Sequence, residues 1–411
     1  MTCTTLLALL LLSSLNGTAP LPAQPETQKT AAPAAQPPVK TPDSSASIIT
    51  IKKVGDRPEF VVNASLPLTG SMSALGSQVQ DGMSLFFTKI KSEFDKGMLY
   101  HLNVLDDGFN TATVQENMEK LLPQSPIFLS LLGTRSVLAS KKKTQAKGML
   151  ALFPMEGADS NRKPELRNIV YFRPSYEQEI EALVAYAVKK LHKKNIGIFY
   201  EDSDSGKSAY ESTKKILKKY DLSLAADASY PAQSLNITRA VYEVIGKAPH
   251  VIICVAKERP TYYFVREIIR LGLHKVLIMG LSGLTVTQEK LKTSRGISIV
   301  TSSVVPNPIT SELQIAKEYR EANKKYTGNK QLTPYAFEGY INAALLHEIL
   351  KIAPRPFTTN SIVQTIEGLK HVNFKGLVLK FDPATRTLYH DVFIDTGSPK
   401  KTPSTKKSDA S

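Results

Sequence analysis

Between residues 59 and 303 the sequence alternates short β-rich runs with longer amphipathic stretches, and it completes that alternation twice. EFVVNASLPL, YHLNVLDD, IFLSLL and MLALF have the composition of strands, and SALGSQVQDGMSLFFTKIKSEF, TATVQENMEKLL and SVLASKKKTQA between them have helical spacing of apolar residues. The second series follows IVYFRP with a helix through EQEIEALVAYAVKKLHKK, strand IGIFY, helix SAYESTKKILKKY and strands LSLAADASY and VIICVA. It ends with helix YYFVREIIRLG and strands KVLIMG and ISIVTSS. A helix between two strands returns the chain to the same end of the sheet, so the strands pair in parallel. The expected fold class is α/β, with two doubly wound parallel-sheet lobes and a cleft between them, although the halves show no detectable sequence repeat.

Ligands of doubly wound sheets sit beyond the carboxyl ends of the strands. LPLTG, DDGFN, GTRS and FPMEGAD stand at those ends in the first series, and YEDSDSG, VAKERP and MGLSG in the second. Each is also ordinary turn composition. GTRS is the most specific, because an apolar strand stops on Gly133 and a helix starts near Ser136. Two readings are open there. The unpaired N–H groups of a helix start, with the Thr134 and Ser136 hydroxyls, would hold a carboxylate or phosphate; alternatively, the hydroxyls only cap the helix.

A chain of 411 residues suits two domains once its ends are set aside. No internal stretch approaches the ~18 apolar residues of a membrane span. Residues 1–20, with an apolar core from Leu6 to about Leu15, read as a signal peptide, despite having no Lys or Arg before that core. Cys3 precedes the core, so it is not the lipidated Cys that follows one. Residues 21–47, rich in Pro, Ala, Gln and Ser, are expected to be a disordered linker, and 397–411 a disordered basic tail. Removal of the leader leaves Cys254 alone, without an intramolecular disulfide partner, inside the buried run VIICVA.

The net charge of +15 is spread over helix faces such as KKLHKKN, without interleaved aromatic platforms, which argues against nucleic acid. The seven His stand singly, with no HExxH and no metal-ligand spacing, so no metal is expected. Asp106 and Asp107 suit a turn better than a cation. Neither GxGxxG after a strand, nor GxxxxGKS, nor a GxSxG elbow occurs; Gly70, Gly76 and Gly82 suit a turn and helix packing. No cofactor and no catalysis are expected, and binding is the remaining reading.

Several of these segments together resemble the periplasmic substrate-binding proteins of the leucine/isoleucine/valine-binding type, over about residues 58–396. LPLTGSMSALGSQVQDGMSLFF is similar to the opening strand, Pro-x-[ST]-Gly loop and first helix of that family, and DDGFNTATVQENMEKLL to its Asp-Asp segment. LLGTRSVLA resembles its ligand loop, EGADSNRKPELRNIVYFRPSYEQE its first crossover, IGIFYEDSDSGKSA the strand opening lobe two, SIVTSSVVPNP the return crossover, and TPYAFEGYINAALLHEIL its Glu-Gly-Tyr helix.

The resemblance implies a Venus-flytrap receptor of an ABC importer, with two lobes joined by three crossovers. Lobe 1 is then 48–173 plus 306–370, and lobe 2 is 174–305 plus 371–396. It further implies an extracytoplasmic, monomeric protein that takes an amino-acid-like carboxylate, with a membrane permease as partner. Thr134 and Ser136 would hold the carboxylate, Met155, Glu156 and Gly157 would supply a neighbouring backbone contact, and Tyr176, at the end of the first crossover, is a further candidate ligand contact. The chain departs from the family where Ser205 replaces an aromatic, Ser282 stands near the acidic ammonium partner, and Lys257 and Glu258 replace small or aromatic residues. Two readings are open for Glu156 and Glu258: substitute ammonium partners of such a ligand, or ordinary turn glutamates. The same departures suit a second reading, an envelope scaffold or regulator that keeps the fold with little ligand binding.

Overall fold

The computed structural model describes residues 52–54, 57–93, 98–273, 275–284 and 299–397. The expected signal peptide, the linker and all but the first residue of the basic tail lie outside them. The chain runs through β1 (Lys52–Val54), β2 (Arg57–Leu66), α1 (Ser73–Ser92), β3 (Leu99–Asp106), α2 (Thr111–Leu121), β4 (Ile127–Leu129), α3 (Thr134–Ala146), β5 (Leu150–Leu152) and β6 (Ile169–Val170). Strands β2 to β6 form a parallel sheet in the order β3-β2-β4-β5-β6, with β1 antiparallel to the start of β2. The order reverses between β3 and β4, on either side of β2, which makes the ends of β2 and β4 the switch point.

The second lobe continues through α4 (Tyr176–Ala185), β7 (Ile196–Asp202), α5 (Asp204–Lys218), β8 (Ala226–Pro231), α6 (Thr238–Ile245), β9 (Val251–Val255), α7 (Glu258–Arg270), β10 (Leu277–Gly280) and β11 (Ile299–Ser303). Its sheet has the order β8-β7-β9-β10-β11, the same winding. The chain returns through α8 (Gln314–Tyr326), α9 (Pro334–Ile352), α10 (Thr359–Glu367), β12 (Val372–Phe374), β13 (Leu377–Leu379) and β14 (Phe393–Asp395).

Alternation in β2 turns Phe60, Val62, Ala64 and Leu66 into one core with α1 and α9. On the opposite face Asn63 is buried, and its Nδ2 donates to the carbonyls of Leu121 and Ser125 at 3.0 and 2.8 Å. α9 is buried almost all round, as an apolar sequence such as YAFEGYINAALL requires. It lies backbone to backbone against α1. A Cβ on Gly82 would stand 1.8 Å from the Ala336 carbonyl oxygen, and one on Gly339 2.5 Å from that of Val79.

Several helices start earlier than their apolar periodicity indicates. α3 begins at Thr134, α5 at Asp204 and α7 at Glu258, because first-turn residues answer to capping and dipole rather than to the core. The expected lobe boundary also differs. Phe374, Leu377, Leu379, Phe381, Leu388 and Tyr389 pack in the core of lobe 1, and of the segment 371–396 only β14 joins the second sheet, antiparallel to β11. The third crossover therefore lies after Tyr389.

Arg162 fastens the first crossover to the lobe 1 segment that leads into the third. Its Nη1 donates to the Arg173 carbonyl at 3.0 Å and to Thr387 Oγ1 at 2.7 Å, its Nη2 to the Glu156 and Pro174 carbonyls, and its guanidinium carbon lies 4.1 Å from the centroid of the Tyr171 ring.

Candidate functional site

The carboxyl ends of both sheets open onto one cleft of about 350 Å³. Lobe 1 supplies Met72 and Leu75 after β2, Phe109 after β3, Gly133 to Arg135 after β4, and Met155 after β5. Lobe 2 supplies Glu201 to Ser205 at the end of β7, Val255 to Glu258 at the end of β9, and Leu281 to Leu284 after β10. Arg173 and Tyr176 of the first crossover and Tyr335 of α9 complete it.

Gly133 is the N-cap of α3, at φ +86°, a conformation that favours glycine. The Phe109 ring lies directly on it, since a Cβ there would be 2.7 Å from Phe109 Cε2. Phe109 is itself at φ +62° in a turn built by the two aspartates. Its N–H donates to Asp107 Oδ1 at 2.8 Å, while Asp106 accepts from the backbone N–H groups of Leu68, Thr69 and Gly108. The Asp-Asp pair is a turn device, as its sequence suggests.

Seven of the ten residues singled out in the sequence line the cleft: Thr134, Met155, Tyr176, Ser205, Lys257, Glu258 and Ser282. Ser136, Glu156 and Gly157 do not. Ser136 is buried and its Oγ donates to the Leu132 carbonyl at 2.9 Å, so it neither caps α3 nor reaches the cleft. Thr134 Oγ1 donates to Glu156 Oε2 at 3.2 Å, and the same oxygen accepts from Ala158 N. Both hydroxyl protons thus go to protein acceptors. What the loop presents to an anion is the first backbone N–H groups of α3.

Glu156 lies under the loop, 1% exposed; burial pushes its carboxyl up, and the Arg162 guanidinium opposes that shift. Gly157 gives room to the Tyr176 ring, whose Cδ1 would lie 2.4 Å from a Cβ there. Met155 uses its backbone in the sheet, with its N–H donating to the Leu131 carbonyl and its carbonyl accepting from Gly133 N.

The base of the cleft is a buried polar network. Arg173 Nε stands 3.3 Å from Glu338 Oε1, and Nη2 donates to Ser282 Oγ at 2.9 Å. Ser282 N and Ser302 Oγ donate to Glu179 Oε2 at 2.7 and 2.6 Å. Burial pushes the Glu338 carboxyl up to about 7, against the pull of Arg173 and with repulsion from Glu179.

On the lobe 2 wall Lys257 Nζ lies 3.1 Å from Glu201 Oε1. Burial alone would push Glu201 up, but the Gln233 N–H and the Lys257 ammonium outweigh it and hold the carboxyl below its usual range. Cys254 is fully buried in β9, and burial pushes its thiol up to about 12, which keeps it protonated. Among the described residues no cluster of His, Cys, Asp and Glu is placed to hold a metal ion.

Phe109, Arg135, Arg173, Glu201 and Tyr335 are cleft residues that the sequence reading does not single out. Four of them stand in or beside the quoted strand-end and crossover segments, so segment position was the available signal. Tyr335 stands in the quoted segment TPYAFEGYINAALLHEIL, a helix with no strand-end position to mark it as a cleft residue.

A family model described as "Periplasmic binding protein" matches residues 62–398. Leu/Ile/Val-binding protein homolog 7 of Brucella melitensis is 21% identical over 342 residues, covering 77% of this chain and 83% of that protein. Among solved structures, a possible leucine/isoleucine/valine-binding protein from Rhodopirellula baltica superposes with a TM-score of 0.74 at 21% identity, over 82% of this chain and 93% of that one. A substrate-binding periplasmic protein from Ralstonia solanacearum gives 0.72 at 25% identity, over 81% and 96%.

Proposed function

The chain belongs to the periplasmic binding protein family, of the leucine/isoleucine/valine-binding type, and from that premise we propose that it is an extracytoplasmic receptor that captures a small carboxylate for the permease of an ABC importer. The observation that carries this reading is the start of α3, which opens onto a cleft between two like-wound sheets at the switch point of the first. A carboxylate placed there meets the N–H groups of Thr134 and Arg135 and the positive end of the helix dipole. Met72, Leu75, Leu132, Met155 and Leu284 offer apolar surface to the rest of a small solute, and the volume lies in the range of small-molecule sites. The name of the Brucella relative refers to branched-chain amino acids, which are compatible with this pairing of carboxylate and apolar body.

A thermal-shift series on the full chain tests the reading, with branched-chain amino acids, other amino acids, aliphatic dicarboxylates and benzoates as the panel, and amines and sugars as controls. A ligand at a hundred times its Kd stabilises by about 2.7 kcal/mol, an easily read shift. Stabilisation by carboxylates alone supports the proposal. Stabilisation only by amines or sugars, or by nothing in the series, goes against it.

A further inference from the structure

Phe109 marks the place where the lobes meet across the mouth of the cleft. Two cations face its ring: Arg135 of the same lobe, its guanidinium carbon 5.7 Å from the centroid, and Lys257 of lobe 2, its ammonium 5.4 Å away. The ring cannot retreat, because it rests on Gly133 and its N–H is held by Asp107. Lys257 is held from behind by Glu201 Oε1 at 3.1 Å, and that same oxygen accepts from Gln233 N at 3.0 Å. The Gln233 side-chain oxygen, in the orientation that satisfies its neighbours, accepts from Arg135 Nη2 at 2.7 Å. Phe109, Lys257, Glu201, Gln233 and Arg135 therefore form a closed loop of contacts that passes between the lobes twice.

We propose that this loop is a clasp that holds the cleft shut without a ligand. Each cross-lobe contact is lost when the lobes separate, so the free protein populates the closed form and opens briefly. A solute enters and leaves only through those openings, which makes the clasp a determinant of the escape rate. The proposal goes beyond solute capture, since closure here needs no solute, and its test uses none.

Single-molecule fluorescence transfer on the full chain reads the closed and open populations. Dyes on Lys120→Cys of α2 and Lys218→Cys of α5 report the lobe separation in a Cys3→Ser background; Cys254 is fully buried and escapes labelling. The closed state is expected to predominate without added solute. Phe109→Leu keeps bulk on Gly133 but removes the ring face, and Lys257→Met keeps the stem but removes the charge. Each is expected to lower the closed-to-open ratio roughly threefold to tenfold. The double variant should lose little more than the larger single loss, because both remove one contact. Gln233→Asn shortens the side chain and so withdraws its oxygen from Arg135, breaking the second cross-lobe contact without touching the packed ring, and it should lower the ratio as well. An open-dominated wild type, an unchanged ratio in any of the single variants, or additive losses in the double variant overturns the clasp.

Discussion

Arg173 joins the two lobes at the base of the cleft through Ser282: its Nη2 donates to Ser282 Oγ at 2.9 Å while its Nε faces Glu338 of α9 at 3.3 Å. The residue sits on the first crossover, so the bond spans the hinge itself. Ser282 is fixed in turn by Glu179, which accepts from its N–H and from its hydroxyl. A buried cation set between one carboxylate of each lobe ties hinge position to the ionisation of its partners.

Glu338 gives this network a pH dependence. Burial raises its carboxyl from 4.5 to about 7 in the folded chain, so between those values the folded state binds the extra proton. Stability from this group is full below about pH 4.5, falls as pH rises, and is gone above about pH 7. The amount is on the order of 3 kcal/mol. Urea melts at pH 5, 6, 7 and 8 should show this decline in the wild type and a flatter profile in Glu338→Gln. Equal slopes in the two proteins would exclude the assignment.

Ser136→Ala should reduce stability by about 1 kcal/mol and leave ligand affinity unchanged, because the hydroxyl donates to the Leu132 carbonyl inside the lobe. The check is a melt midpoint beside a titration of the same variant. A tenfold loss of affinity at unchanged stability would place Ser136 in the cleft, against the geometry.

Gly82→Ala should destabilise lobe 1 by roughly 2 kcal/mol or more, since the new methyl meets the Ala336 carbonyl oxygen at 1.8 Å and two helix backbones must part. A melt of Gly82→Ala beside Gly272→Ala separates steric contact from backbone strain. Gly272 has nothing within 4 Å, and its cost comes only from its φ of +71°. Equal losses would show that α1 and α9 can move apart freely.

The double winding of the sheets was legible because parallel strands are buried on both faces and read as continuous apolar runs: IFL, LAL, VIICV and LIMG are all strands. TRAVYEVI shows no clear period in the sequence, being only eight residues long, although burial of Ala240, Val241 and Val244 makes it an amphipathic helix. β12 and β13 were illegible for another reason. Val372 and Val378 are exposed, so the hairpin has only a few inward residues, and its place in lobe 1 is set by contacts with distant parts of the chain. At the site, the composition of GTRS indicated a helix start and a free set of N–H groups. It did not reveal that Ser136 would bond back four residues to Leu132, a choice between local acceptors made by the fold. The place of Phe109 is not legible in the sequence, because it depends on Gly133 and Lys257, which are remote from it along the chain.

The proposed capture of a carboxylate at the start of α3 is tested most directly by isothermal titration of Thr134→Pro and Thr134→Val with the strongest stabiliser from the thermal-shift series. Proline is tolerated at the first helical position and removes the N–H there, whereas valine keeps the N–H and removes only the hydroxyl bonded to Glu156. A hydrogen bond to a charged group is worth roughly 1.5 to 3 kcal/mol, so Thr134→Pro should weaken binding about tenfold to a hundredfold. Thr134→Val should stay within about threefold of wild type. Unchanged affinity in Thr134→Pro, or an equal loss in both variants, would contradict backbone capture of a carboxylate in this cleft.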